Sequence, residues 1–428
     1  MNKPYNKTHS YLIVLAFSFY TVLYSCGNSK KSDAPKIEKN SVAAIDAEIK
    51  KEPLTFLDIE ELRAVKMAIE NGSDVYSASY GSLIKEAEDA LNEGPFSVTD
   101  KTQIPPSGDK RDYMSIGVYW WPDLEKSNGL PWIRKDGEFN PITRGEHLDL
   151  DRKGKLFYNT YRLAFAHFLT GEDKYASKAI ELLKVWFLNT ETMMKPNLNY
   201  AQGIPGITDG RGIGIIEFTG IIDILNAIEL LELNSSMGSS TSKGLRKWLE
   251  NYLDWLQHSE NGVAERDWRN NHGTWYDVQV VSLLLFFDRN DEAEKILETF
   301  SKERIRSQIE EDGTLPLELE RTRTLHYSAF NLQAFTYLAF FGKKVNVDLW
   351  NYRPEGAGGI QDAYSFLYPY VIAEKEWVYP EISGVDSGNE YLKKVFLMAG
   401  KMFDKPEYVK VGMSMNNLDD FEILSYSF

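Results

Sequence analysis

The stretch RNNHGTWYDVQ, residues 269–279, decides how this chain is read. It sets two amides (Asn270, Asn271), an imidazole (His272), a glycine and an indole (Trp275) beside a carboxylate (Asp277), just before the apolar run Val278–Phe287. Such a run reads as a core helix. Asn271 reads as its N-cap, because an asparagine oxygen can accept the orphan N–H groups of a first helical turn. Helical spacing then gathers His272, Tyr276 and Gln279 on one side. Polar groups at the mouth of a buried helix either satisfy the backbone or hold a ligand. Two distant stretches, YWWPD at 119–123 and ELERTRTLHY at 318–327, favour the ligand.

Outward from this stretch the periodicity is helical almost everywhere. Leu57–Asn71 and Tyr80–Glu93 carry apolar residues at three-to-four spacing and form a first pair; Asp151–Leu169 and Asp173–Leu188 form the next. Ile215–Leu233, Lys243–His258, Tyr276–Phe287 and Glu292–Phe300 continue the pattern, followed by Leu325–Phe341, Ala363–Ala373 and Glu390–Met402. Few segments read as strands. Helices joined in antiparallel hairpins over residues 54–428 predict an all-α fold, an (α/α) toroid of six or seven pairs with no C-terminal β-sandwich.

One long stretch breaks the pattern. Phe96–Asp149 has little periodicity and is rich in Pro, Gly and aromatics, and so long an irregular segment inside a compact domain is usually functional. It offers Tyr119, Trp120, Trp121 and Trp132 with Arg111, Arg134 and Arg144 interspersed: aromatic faces stack on sugar rings, and guanidinium forks pair with carboxylates. A glycine-rich loop, Tyr200–Gly214, precedes a helix, but no strand and no Walker lysine accompany it, so it reads as a close approach of Gln202 and Arg211 to a ligand. In Leu315–Tyr327, Arg321 and Arg323 stand at a helix start, where a cation opposes the macrodipole, and Arg323 and Tyr327 share a face.

The formal net charge of −15 argues against nucleic acid and anionic surfaces as general partners, while leaving room for an acidic ligand in a locally basic groove. The chain holds one cysteine and no CxxC or HExxH pattern, and the histidines show no metal spacing, so neither a metal nor a cofactor is expected. That cysteine, Cys26, closes Leu23-Tyr24-Ser25-Cys26-Gly27 after a basic Met1–Ser10 and an apolar Tyr11–Tyr24, a run too short to span a bilayer comfortably. This resembles a bacterial lipoprotein signal. Residues 1–26 are then the signal with Cys26 as lipid attachment site, 27–53 a polar tether, and 54–428 the domain. The expectation is a monomeric lipoprotein of the periplasm or outer membrane of a Gram-negative bacterium, touching the membrane only through its lipid.

NNHGTW at 270–275 and LPLELERTRTLHY about fifty residues later, together with DYMSIGVYWWPD and GLPWIRKDGEFNP, resemble the alginate lyase superfamily, polysaccharide lyase family five and especially family thirty-eight. The similarity runs from about residue 95 to 340. By this resemblance Asn271 and His272 match the Asn-His pair, Tyr327 the catalytic tyrosine and Arg321 the active-site arginine. In family five the arginine stands seven residues before the tyrosine; here that position is Glu320, and arginines stand six and four before it, so Arg321 and Arg323 both stay open. Substrate contacts are expected from Arg323, Tyr119, Trp120, Trp121, Gln202, Arg211, Trp275, Tyr276 and Arg144.

The resemblance implies β-elimination on a β-1,4-linked polyuronate, with alginate, poly-mannuronate foremost, and glucuronan as the alternative. Asn271, His272 and Arg321 would neutralise the uronate carboxylate and so acidify the C5 proton. Tyr327 would take that proton and return it to the C4 oxygen, which lies on the same face in mannuronate and glucuronate. A free tyrosine titrates near ~10, and bringing it to ~8 takes about 3 kcal/mol, for which a nearby arginine is the expected source. Two other classes are weighed: a non-catalytic polyuronate-binding lipoprotein, and a hydrolase using two of Asp149, Asp151 and Asp277.

Overall fold

The computed structural model describes residues 54–415 and 422–426, so the signal, Cys26 and the tether lie outside the described residues. The first pair is α1 (Ile59–Glu70) and α2 (Asp74–Leu91), and an irregular segment leads to α3 (Leu150–Thr170) and α4 (Asp173–Phe187). Then come α5 (Ile221–Leu233), α6 (Ser239–His258), α7 (Glu260–Arg266), α8 (Asn271–Phe286), α9 (Asn290–Ile296) and α10 (Lys302–Gln308). The chain closes with α11 (Pro316–Leu319), α12 (Thr324–Lys344), α13 (Ile360–Val371), α14 (Val385–Met402), α15 (Pro406–Met415) and α16 (Glu422–Tyr426). The fold is the all-α toroid that the hairpin pattern predicts.

Two helices of this order are inner helices. In α8 every residue except His272 is buried, and α12 is buried on nearly every side, exposing only a few positions such as His326 and Phe330. Helices that are apolar all round can only sit inside, whereas α4 and α6 carry one apolar face and cover the outside. α8 packs on α5, α6, α7, α9 and α12, and α12 packs in turn on α14, so the inner pair lies in the middle of the core. Their N-termini open on the same side, which fixes where a site can form.

Boundaries moved where buried polar groups interrupt the apolar pattern. The helix read as Glu292–Phe300 runs on through a π-helical turn, Leu297–Ser301, into α10. Its extension is polar in sequence yet buried, because Arg304 forks onto Asp277 and Gln308 accepts from Thr274 and Asn331. The start of the helix read from Ile215 is instead a 3-10 segment, Gly212–Phe218, that ends before Gly220.

The irregular segment is folded by four short strands. β1 (Met114–Ile116) pairs in parallel with β4 (Tyr200–Gly203), and β2 (Trp120–Trp121) pairs antiparallel with β3 (Ile133–Arg134), Trp120 opposite Arg134. Asn140 pins the second pair by donating from Nδ2 to the Trp120 carbonyl. The glycine-rich loop after β4 is a packing device: a Cβ on Gly210 would lie 2.0 Å from the Asn199 carbonyl oxygen, and one on Gly214 2.5 Å from the Ala201 side chain. No helix among the described residues is long and apolar enough to cross a membrane.

Candidate active site

The N-termini of α8 and α12, the β2–β3 hairpin and the loop after β4 enclose a cleft of about 840 Å³. Its walls carry Arg134, Arg144, Arg211, Arg269, Arg321 and Arg323 against only two carboxylates, Glu217 and Glu320. In a chain of net charge −15 this is a local reversal of sign. Another cavity, about 740 Å³ beside β1 and β4, has Asp209 as its charged lining residue and none of the sequence-derived site residues.

Tyr327 sits in the first turn of α12 and is buried, its hydroxyl 2.6 Å from that of Tyr119 on the hairpin. The Arg321 guanidinium lies over its ring at 4.0 Å from the centroid. Arg321 is itself gripped by Asp136, which accepts two of its N–H groups at 3.1 and 2.8 Å and also takes one from Arg134. Burial raises the Asp136 carboxyl, but the hydrogen bonds and charge of Arg321 and then Arg134 outweigh it and hold it down to about 2. Arg323 donates to Tyr119 Oη at 3.3 Å and to Ser383 at 2.8 Å, so both arginines reach the tyrosine pair by different routes. Neither arginine pairs with the neighbouring Glu318 or Glu320.

The resting phenol differs from the sequence expectation. Burial pushes Tyr327 well above its ordinary value, Tyr119 pushes it further, and Arg321 offsets only part of this. The arginine alone does not bring it towards neutrality. The helix start is compensated from elsewhere: Glu381 accepts from the backbone N–H groups of Leu325 and His326, so the macrodipole meets a carboxylate there despite Arg321 and Arg323.

At the mouth of α8 the cap is Asn270, whose Oδ1 accepts the His272 N–H at 3.3 Å; Asn271 is the first helical residue. Asn271 points inward and is fully buried. Its backbone N–H and its Nδ2 donate to the two oxygens of Glu318 at 2.8 and 2.7 Å, and its Oδ1 is buried without a partner. His272 Nδ1 lies 2.8 Å from Glu265, a fully buried carboxylate, which fixes a proton on Nδ1 and leaves Nε2 on the cleft side with no hydrogen-bond partner among the described residues.

Further along the cleft, Arg211 donates to the Gln202 carbonyl at 2.9 Å and to Gln202 Oε1 at 3.1 Å, and lies 5.7 Å from the Trp120 ring centroid. Burial, and then the charge of Arg134, lower it to about 10, so it is a desolvated cation that gains from an incoming anion. Arg144 lines the rim paired with Asp151 at 2.8 Å. Three expected contacts lie elsewhere. Trp275 and Tyr276 are buried in the core, donating to the carbonyls of Phe330 and Leu256, because they stand one turn further along α8 than His272, where the helix is covered on every side. Trp121 alternates away from Trp120 along the strand, with its Nε1 on the Glu138 carbonyl and Lys135 over its ring. The hydrolase carboxylates are also committed: Asp149 to Lys101, Asp151 to Arg144 and Asp277 to Arg304.

Sequence reasoning passed over Asp136, Glu265, Glu318, Arg269 and Glu381. Asp136 and Glu318 stand inside stretches that it singled out, but nothing in a sequence says which carboxylates turn inward.

Residues 97–377 match the alginate lyase family model. A crystal structure of an alginate lyase from Bacteroides ovatus is 35% identical, with TM-score 0.83, covering 88% of this chain and 99% of its own. The chain thus belongs to the alginate lyase family, and its class is polysaccharide lyase. Alginate lyase A1-III from Sphingomonas species A1 shares the fold at 15% identity and TM-score 0.52, over 86% of this chain and 94% of its own. So does a histidine-to-alanine variant of A1-III complexed with tetrasaccharide, at 14% identity and TM-score 0.54, over 90% and 98%. No curated protein matches the chain.

Proposed function

We propose that the protein cleaves β-1,4-linked polyuronate by β-elimination, with poly-mannuronate as preferred substrate and Tyr327 as both base and acid. The observation that carries this reading is the hydroxyl pair of Tyr327 and Tyr119 at 2.6 Å, set among the cleft arginines. The uronate carboxylate is received by the His272 ring, by the Asn271 side chain and by the free charge of Arg211 or Arg269, for which no ion-pair partner exists among the described residues. Neutralising it acidifies the C5 proton. Arg321 and Arg323 act on the tyrosines: once Tyr327 has lost its proton, the face of Arg321 and the hydroxyl of Tyr119, itself held by Arg323, stabilise the phenolate. The phenolate takes the C5 proton, the C4–O bond breaks as the C4=C5 double bond forms, and the phenol so re-formed protonates the leaving C4 oxygen. Since the resting phenol is held above its ordinary value, kcat is expected to rise with pH through the ionisation of Tyr327. Lipid attachment at Cys26 would place this activity on the periplasmic or outer-membrane side. The test is poly-mannuronate digested to completion: each cut by a lyase leaves one unsaturated, ultraviolet-absorbing end per reducing end, and reducing ends without that absorbance would show hydrolysis.

A further inference from the structure

We infer that Glu318 decides which atom of the Asn271 amide faces the cleft, and that an anionic sugar binds with Glu318 protonated. The inference rests on the reading of the cleft as a uronate site. Glu318 is fully buried and has no ion-pair partner among the described residues. It accepts from the Asn271 backbone N–H at 2.8 Å, Asn271 Nδ2 at 2.7 Å and Asn331 Nδ2 at 3.2 Å. Beside it, Asn271 Oδ1 is buried with nothing to accept.

An ionised carboxylate can only accept hydrogen bonds, so it draws Nδ2 of Asn271 towards itself. The amide then offers the cleft an oxygen, the wrong polarity for a uronate carboxylate. A protonated Glu318 reverses this. Its Oε2–H can donate to Asn271 Oδ1 once the amide has made a half-turn, Oε1 keeps the backbone N–H of Asn271, and Nδ2 is released to donate to the ligand. The orphaned oxygen is satisfied in the same step. One proton is taken from solvent for each ligand bound, and no covalent bond changes.

The surroundings permit both forms. From α8 Glu318 faces the amide of Asn271 and, further off, His272; from α12 the amide of Asn331; from α10 Gln308, which shares Asn331; and from its own segment Arg321. Burial raises the carboxyl to about 7, against the lowering effect of the Asn271 donors, Arg321 and His272. Above that value an additional proton must be captured for binding, so Kd is expected to weaken about tenfold per pH unit.

The experiment is calorimetric titration of the Tyr327→Phe chain with a mannuronate tetramer from about pH 6 to about pH 9, in buffers of different ionisation heat. Proton uptake on binding and a Kd rising with pH are expected. Adding Glu318→Gln, whose amide N–H permanently supplies the donor, should make Kd independent of pH and abolish the uptake, whereas Glu318→Leu should bind weakly throughout. Persistence of the same pH dependence in Glu318→Gln would assign it to His272 and overturn the inference, as would Glu318→Gln binding no better than Glu318→Leu. Infrared titration of the ligand-free chain supplies a readout that needs no sugar: a carboxylic acid band lost on raising the pH and missing in Glu318→Gln is expected, and a carboxylate ionised throughout overturns the inference. If no uronide binds, the proposed function fails, and the infrared titration still decides the state of Glu318.

Discussion

Replacing Tyr119 by Phe removes one oxygen and little else. The ring keeps its tilted contact with Phe139, 5.2 Å between centroids, so the hairpin should stay packed. What goes is the 2.6 Å hydrogen bond to Tyr327 and the acceptor for Arg323. With the Arg323 N–H on one lone pair of Tyr119, its own proton is free to point at Tyr327, and this bond strengthens when Tyr327 becomes a phenolate. A hydrogen bond to a charged group contributes about 1.5–3 kcal/mol, and 1.36 kcal/mol is tenfold in rate, so kcat should fall between roughly 10-fold and 150-fold. KM should change far less, because the bond is made in full only on ionisation. The acidic limb of the kcat profile should also move to higher pH. Initial rates on poly-mannuronate, followed by absorbance of the unsaturated ends over a range of pH, give kcat and KM separately. A kcat within about twofold of the parent at every pH would refute the reasoning.

The remaining expectations concern the groups behind the site. Asp136→Asn should lower kcat about tenfold or more while circular dichroism stays unchanged, because the forked anchor that holds Arg321 against Tyr327 is lost. Trp275→Ala should cost about 3–5 kcal/mol in urea denaturation, while Trp275→Phe should keep kcat/KM, since this indole lies in the core. Glu318 should make stability fall with pH. Its folded carboxyl, raised from 4.5 to about 7, binds more protons than the unfolded one between those values. The stability so linked is therefore present below pH 4.5 and lost as pH rises through about 7, by about 3 kcal/mol in all, and Glu318→Gln should lack this slope in denaturation at about pH 5 and about pH 8.

The fold was legible because its helices announce themselves in two ways. α4 and α6 carry one apolar and one polar face, and α8 and α12 are apolar on nearly every side, so each shows helical periodicity or an unbroken apolar run in its sequence. The site was legible where it sits on these helices: His272, Asn271, Arg321, Arg323 and Tyr327 converge on one cleft, joined by Tyr119, Trp120, Gln202, Arg211 and Arg144. Two kinds of information were missing. The N-cap fell one residue earlier than read, and Trp275 and Tyr276, one turn deeper along α8 than His272, lie where the helix is buried on every side, a depth that spacing alone does not reveal. The buried partners Asp136, Glu265 and Glu318 have no periodic signature, since their placement depends on contacts with groups far along the chain, as between Asp136 and Arg321. They govern the electrostatics: a tyrosine raised by burial, and an asparagine whose amide is turned by a carboxylate.

The central claim is that one tyrosine on one side of the sugar ring performs both proton transfers. Its most direct test is the initial rate of formation of unsaturated ends from block-pure poly-mannuronate and poly-guluronate at equal uronate concentration, for the parent chain and for Tyr327→Phe. The account predicts clear preference for poly-mannuronate, whose C5 proton and leaving oxygen share a face, weak activity on its C5 epimer through His272, and loss of poly-mannuronate cleavage with polymer binding retained in Tyr327→Phe. Preference for poly-guluronate, or parent-like rates in Tyr327→Phe, would contradict it and pass the role of base to His272 or another group.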